Sequence, residues 1–306
     1  MHIQWYPGHM HKASKELKAL LPQLDLIIEI IDARIPFSSQ NPMLAEIRGD
    51  KPCIKILSKS DLADPVVTQL WQTYMEEEQG LKSLAVSNEQ PDKIRQLPEL
   101  CHRLLPTKKV SNSLINTLIM GIPNVGKSTL INILANRIIA KTGNEPAITK
   151  MLQRIAIDDN VVLLDSPGLL WPNVENKNSG FRLAATGAIK DTAIKHDAIA
   201  SFVAEYLLQN YPENLKTRFQ LSKIPEYEQE LLEIIGKQRG CLRSGGHIDM
   251  DKVAKILLSE LRAGSLGRIS LETPAMMKEE LAELVIIREQ KETKKKARKQ
   301  SYKDSL

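Results

Sequence analysis

Aromatic residues make up only 4% of the 306 residues, too few for a stacking platform that reads single-stranded bases on its rings. Any nucleic acid bound by the chain is expected to be held by charge and shape. Cysteine is scarce as well: Cys53, Cys101 and Cys241 are odd in number, far apart and in no C-x-x-C spacing, so neither a disulfide framework nor a zinc site is supported. A reducing cytosol is the expected compartment. No run of eighteen apolar residues occurs, and the first 21 residues interleave Lys12, Lys15, Glu16 and Lys18 with apolar positions, so secretion and membrane spanning are both disfavoured. No internal repeat at a fixed period is visible.

What is present fits a globular chain of about two domains at ~100–200 residues each. Apolar residues reach 42% and charged residues 26%. The net charge of +5 is unevenly placed: residues 291–303 hold seven cations (Lys291, Lys294, Lys295, Lys296, Arg298, Lys299 and Lys303) against Glu292, a local +6 that leaves the rest of the chain at −1. Such a run is either a solvated end or a contact for a polyanion.

Short apolar runs bounded by turn residues recur at 26–31, 53–57, 81–86, 114–120, 151–157 and 161–164, with helical patterns at 65–79 and 127–136 among them. Strands alternating with helices predict a mostly parallel sheet covered on both faces. Beyond Gly168 the strand signals stop, and 179–211, 224–236 and 250–262 read as helices, the last with Asp249 as N-cap and Gly264 just past its end. On that last helix Val253, Ile256, Leu257 and Leu261 share one face, a spacing that marks core. The expected organisation is an α/β domain over 1–175, a smaller all-α domain over 176–285 and a basic tail over 286–306.

Residues 121–128, Gly-Ile-Pro-Asn-Val-Gly-Lys-Ser, match G-x-x-x-x-G-K-[ST] with a strand before and a helix after. Glycine lets the backbone wrap tightly enough for successive N–H groups to face phosphate oxygens at the positive end of the following helix. The nucleotide-holding residues are then Asn124, Val125, Gly126, Lys127, Ser128 and Thr129. Lys127 reaches the outer phosphates, and the Ser128 hydroxyl is a Mg²⁺ ligand. A second piece, Asp165-Ser166-Pro167-Gly168, follows the run 161–164: Asp165 can hold Mg²⁺ through water, and Gly168 can offer its N–H to a γ-phosphate. Between them Thr149 can give Mg²⁺ another oxygen when a γ-phosphate is present, which makes 143–150 a switch candidate; the alternative is an ordinary loop threonine.

GTP-binding proteins read guanine with the aspartate of N-K-x-D after a strand. Lys195-His196-Asp197 has the spacing but falls within the helical stretch 184–208. Lys59-Ser60-Asp61 is better placed, at the end of the run 53–57, where ligands bind on open α/β sheets. Ser87 and Asn88 close the next strand and can give a backbone N–H to the guanine oxygen. Both base-reading pieces therefore precede the phosphate loop, an order that circular permutation permits.

In that order the chain resembles the circularly permuted GTPases of the YlqF/YawG type, in particular the bacterial ribosome biogenesis GTPase A family. The resemblance rests on Trp5-Tyr6-Pro7-Gly8-His9-Met10, Asp32-Ala33-Arg34-Ile35-Pro36 with Ser38-Ser39-Gln40-Asn41-Pro42, the permuted nucleotide motifs, Arg239-Gly240-Cys241-Leu242 with Gly245-Gly246, and Gly264-Ser265-Leu266-Gly267-Arg268. It runs from the first residues to about Ser270. It implies a permuted P-loop GTPase domain followed by helices that touch ribosomal RNA, GTP as substrate, and a role in late assembly of the large ribosomal subunit, by a cytoplasmic monomer with no membrane contact.

Three departures stand out. Ser58 replaces the usual asparagine of N-K-x-D, so an amide tie to the phosphate loop is missing and weaker nucleotide affinity is expected. Asn88 replaces an alanine, and Ala147 a glycine. Leu169 stands where small GTPases carry a water-orienting glutamine and can neither donate nor accept. The resemblance gives that role to His9, which it makes catalytic together with Lys127, since an imidazole can orient or deprotonate water; the alternative is a surface histidine. Arg34 is either a charge stabiliser or half of a structural salt bridge. Asn124 resembles the asparagine of potassium-stimulated GTPases that helps hold K⁺ where an arginine finger's charge would sit, or else it stabilises the loop. The competing function is a P-loop phosphotransferase acting on a small molecule. The basic tail and the guanine motifs favour an assembly factor, with Arg239, Arg243, Arg262 and Arg268 expected to help contact RNA.

Overall fold

The computed structural model describes residues 19–42, 48–111, 113–139, 153–166, 174–189 and 195–304, with side chains of the last helix through 294. Its centre is a sheet of six strands: β1 (Leu26–Asp32), β2 (Cys53–Ser58), β3 (Leu81–Ala85), β4 (Ile115–Gly121), β5 (Gln153–Ala156) and β6 (Val161–Asp165). Their order is β3-β2-β1-β4-β6-β5, and only β5 runs antiparallel to its neighbour. Every residue of β1 is buried, as expected for a central strand with both faces covered. The expected strands are found within a residue or two at each end.

Around the sheet lie α1 (Pro65–Glu76), three short helices α2 (Pro91–Arg95), α3 (Leu97–Leu104) and α4 (Pro106–Val110), and α5 (Lys127–Leu134). Asp64 caps α1, its carboxylate accepting the Val66 N–H at 2.8 Å and the Val67 N–H at 3.2 Å. The helical part comprises α6 (Lys177–Ala185), α7 (His196–Asn210), α8 (Pro212–Phe219), α9 (Glu228–Gln238), α10 (Met250–Arg262) and α11 (Pro274–Asp304).

The single helix expected over 179–211 is instead α6 and α7, with Gly187 at φ +83 just after α6. Arg262 from α10 lies against Gly187 and donates to the carbonyls of Ala184 and Ala185 at 2.9 Å, closing the end of α6. Asp249 caps α10 through the Lys252 N–H, Gly264 follows at φ +74, and Val253, Leu257 and Leu261 are buried on its inner face. Residues 286–304 continue α11.

All three cysteines are free and buried. Burial pushes the Cys53 and Cys101 thiols up to about 12, well out of thiolate reactivity at neutral pH. No described helix is long and apolar enough to cross a membrane.

Candidate functional site

Five parallel strands end at one edge of the sheet, so the loops after β1, β2, β3, β4 and β6 meet there. The order turns outward in both directions from the β1/β4 pair, the place where an open α/β sheet leaves a crevice for ligand. The phosphate loop leaves β4 in that crevice, flanked on one side by the base-reading pieces of β2 and β3 and on the other by Asp165 at the end of β6.

Gly121 has no room for a side chain: a Cβ there would lie 2.7 Å from the Ile30 carbonyl oxygen and 2.8 Å from the Val125 side chain. Gly126 at φ +98 begins α5 with no side-chain cap, so the first amides of the helix are left to a ligand. Lys127 is buried and its ammonium bonds Asp165 Oδ1. Burial pushes the Asp165 carboxyl up, and the lysine opposes that shift. Asp165 Oδ2 is buried with no hydrogen-bond partner among the described residues. A buried carboxylate oxygen with no bond among the described residues, on the side chain that Lys127 of the phosphate loop holds, is the kind of donor a hard divalent cation takes.

The base-reading side is knitted to the phosphate loop. Ser58 Oγ lies 2.6 Å from the Val125 carbonyl oxygen and 2.9 Å from that of Ile31. The tie expected to be lost with the asparagine is therefore made by a hydroxyl. The Ser60 N–H donates to the Val86 carbonyl at 3.1 Å and the Val86 N–H to Leu57 at 2.9 Å, which sets Ser87 and Asn88 beside Asp61's loop. Ser87 is buried and its hydroxyl accepts the Glu89 N–H; Asn88 is exposed. Lys59 takes the left-handed conformation at φ +56, and its ammonium bonds Asp32 at 3.0 Å. Half-buried Asp61 makes no side-chain hydrogen bond among the described residues, which leaves its carboxylate for a ligand.

Arg34 resolves in favour of the salt bridge. It is 2% exposed and grips Asp32 with two bonds, at 2.9 and 2.7 Å. Burial alone would raise the Asp32 carboxyl, but Arg34 and Lys59 together hold it far below the ordinary carboxylate range. Asn124, at φ +60, donates its amide to the Gly187 carbonyl at 2.9 Å, a contact between phosphate loop and helical part that the sequence did not announce. Lys195 is the N-cap of α7 and His196 and Asp197 are its first two residues, so this triplet opens a helix and does not follow a strand. His9, Thr149, Gly168 and Leu169 lie outside the described residues.

Comparison with known proteins agrees with this geometry. A family model described as a 50S ribosome-binding GTPase matches residues 116–237. The ribosome biogenesis GTPase A of Bacillus pumilus is 45% identical over 281 residues, covering 90% of this chain and 99% of that protein. A mouse protein named mitochondrial ribosome-associated GTPase 1 is 31% identical, over 88% of this chain and 90% of that protein. The crystal structure of GNP-bound YlqF from Thermotoga maritima superimposes with a TM-score of 0.60 at 26% identity, covering 86% of this chain and 98% of that one. These relatives favour the GTPase reading over the small-molecule phosphotransferase. The chain belongs to the ribosome biogenesis GTPase A family of circularly permuted GTPases, and is a GTP-hydrolysing protein of ribosome biogenesis.

Proposed function

We propose that the protein acts on the maturing large ribosomal subunit in the cytosol, as a monomer, with GTP setting its affinity for the particle. The observation that carries this is the chain of bonds at one sheet edge, from the Ser87 loop to the Asp61 loop and from Ser58 to the phosphate loop, with Asn124 reaching from that loop to the helical part. Asp61 reads guanine, Lys59 flanks the base, and the backbone around Ser87 and Asn88 serves the guanine oxygen. Amides of Asn124, Val125, Gly126 and Lys127, with the Ser128 and Thr129 segment, hold the phosphates. Ser128 and Asp165, joined by Thr149, are the residues suited to Mg²⁺, which when bound neutralises charge on the phosphates. Asn124 is the residue suited to K⁺. Gly168 offers its N–H to the γ-phosphate, and His9 orients water in place of the missing glutamine.

Of the four arginines expected at RNA, Arg262 is occupied in closing α6, Arg239 pairs with Glu260 and Arg243 with Asp249, whereas Arg268 is exposed with no ion pair among the described residues. RNA contact is therefore assigned to Arg268 and to the basic end of α11. The test is GTP turnover with and without purified large subunits, together with co-sedimentation against separated subunits in a GTP analogue and in GDP. Stimulation by large subunits and tighter pelleting with the analogue are expected; equal pelleting with both subunits and both nucleotides would sink the reading. His9→Ala should leave GTP affinity intact and lower kcat by about 10²–10⁴, and unchanged stimulated turnover would return His9 to a surface histidine.

A further inference from the structure

The loop that carries Asp61 is held from the front by Ser58, Ser60 and Lys59. It is also held from behind by a segment more than two hundred residues away. After α10 the chain turns through Gly264 and Gly267, both at positive φ, and lays Ile269, Ser270, Leu271 and Glu272, each no more than 1% exposed, across the back of this loop. The Ile269 N–H donates to the Leu62 carbonyl at 2.9 Å. Ser270 Oγ accepts the Asp64 N–H at 3.2 Å. The Leu271 N–H donates to the Arg34 carbonyl at 2.8 Å, and the Glu272 carboxylate accepts the Ser38 N–H at 2.9 Å.

Tyr211, at the end of α7, completes the clamp. Its hydroxyl accepts the Ser270 N–H at 3.1 Å and lies 3.2 Å from the Ser270 carbonyl and 3.3 Å from Asp64 Oδ2. Gly264 sits so close that a Cβ would be 2.7 Å from the Leu62 side chain. Leu62 and Asp64 bracket the residues just after Asp61, and Arg34 is the partner of Asp32, which in turn holds Lys59. The segment thus bonds the base-reading loop at Leu62 and Asp64, and bonds Arg34 and Ser38 in the neighbouring loop after β1. Lys59 needs such support, because a non-glycine residue in the left-handed region persists only where its surroundings over-determine it.

We propose that the segment from Ile269 to Glu272, with Tyr211, is a positioning element of the guanine site: it sets where the Asp61 carboxylate stands, and so makes guanine recognition depend on the seating of the helical part. This rests on Asp61 as the base reader. None of these contacts senses the γ-phosphate, so GDP and GTP must respond alike, unlike a switch that tells them apart.

The test uses Ser270→Ala and Tyr211→Phe, each of which removes hydrogen bonds from the clamp without altering its bulk. Affinities of the full chain for GDP, GTP and IDP, which lacks the 2-amino group, are measured by titration, with thermal unfolding alongside. Both variants should bind GDP and GTP about 5- to 30-fold more weakly, by a common factor, as a displaced carboxylate loses part of its bonds to the base, and the preference for GDP over IDP should fall. A merely structural role would lower Tm and leave that preference untouched, and this outcome overturns the proposal. Asp61→Asn, measured in parallel, should lose guanine preference and gain xanthosine nucleotides. If it does not, the base-reading assignment fails; if it does while both clamp variants keep the wild-type preference, the clamp alone fails.

Discussion

The Ser58 hydroxyl lies 2.6 Å from the Val125 carbonyl oxygen, so the end of β2 and the phosphate loop, 67 residues apart in sequence, share a hydrogen bond. A hydroxyl has one proton where the usual amide has two, and Ser58 must divide it between Val125 and Ile31. Ser58→Ala leaves the Val125 carbonyl without this donor in a site that is 6% exposed at residue 58. A buried unsatisfied acceptor costs ~1–3 kcal/mol, so guanine nucleotide affinity should fall by about 5- to 150-fold, measured by calorimetric titration. Affinity equal to wild type would show that the two loops hold their positions without this bond.

The sheet was legible because its strands are short aliphatic runs closed by turn residues, and the nucleotide motifs were legible because each is local and sits at a strand end. What escaped was long-range. That Ser58 would replace an amide with a hydroxyl bond depends on how near Val125 comes, which residue 58 alone does not encode. The clamp of Ser270 on Asp64 spans 206 residues and belongs to no periodic pattern. The helices α2 and α4, five residues each, are too short to show a 3.6-residue period, whereas α3 carries a readable signal in proline in its first turn and buried Leu97 and Cys101 four apart. Gly187 was a readable stop that the apolar continuity of 179–211 concealed.

Asp32 joins recognition to stability. Its carboxyl is buried with Arg34 and Lys59, and their charges outweigh burial and hold it far below the ordinary value of 3.8. A carboxyl lowered in the folded state stabilises the fold fully above its unfolded value and loses that contribution as pH falls through the folded one. Asp32→Asn leaves Arg34 buried without its counter-ion, which costs ~3–5 kcal/mol at neutral pH. The stability gap between wild type and variant, from denaturant titrations, should stay level from about pH 8 to about pH 5 and narrow below about pH 4. A gap that is constant down to about pH 2 would contradict the lowered carboxyl.

The basic end of α11 and Arg268 should separate attraction from preference. Neutralised phosphates release counterions, with a log–log salt slope near −0.7 to −0.9 per contact. Removing 291–306, which takes seven cations with it, should flatten the salt dependence of ribosome binding while preserving preference for large over small subunits. Arg268→Glu places a like charge among RNA phosphates at a turn fixed by Gly264 and Gly267, and should damage that preference. The two variants are compared by co-sedimentation across a salt series. Loss of preference on tail removal would reverse the assignment.

Asn124 stands in the phosphate loop in the left-handed conformation, at φ +60. Its Nδ2 donates to the Gly187 carbonyl at 2.9 Å, which ties the phosphate loop to the close of α6, itself held by Arg262. The amide oxygen is the opposite end of the same planar group, so bonding to Gly187 fixes the direction in which that oxygen faces. A monovalent cation held there would add positive charge beside the phosphates at the moment charge develops on them, which accelerates chemistry without changing how tightly the diphosphate product binds. Turnover should therefore be faster in KCl than in NaCl, and Asn124→Ala should abolish the difference while GDP affinity stays nearly constant, since Lys127 and backbone amides hold the phosphates. Equal wild-type turnover in the two salts would reduce Asn124 to a tie between the phosphate loop and α6, and Asn124→Ala should then register only as a lower Tm.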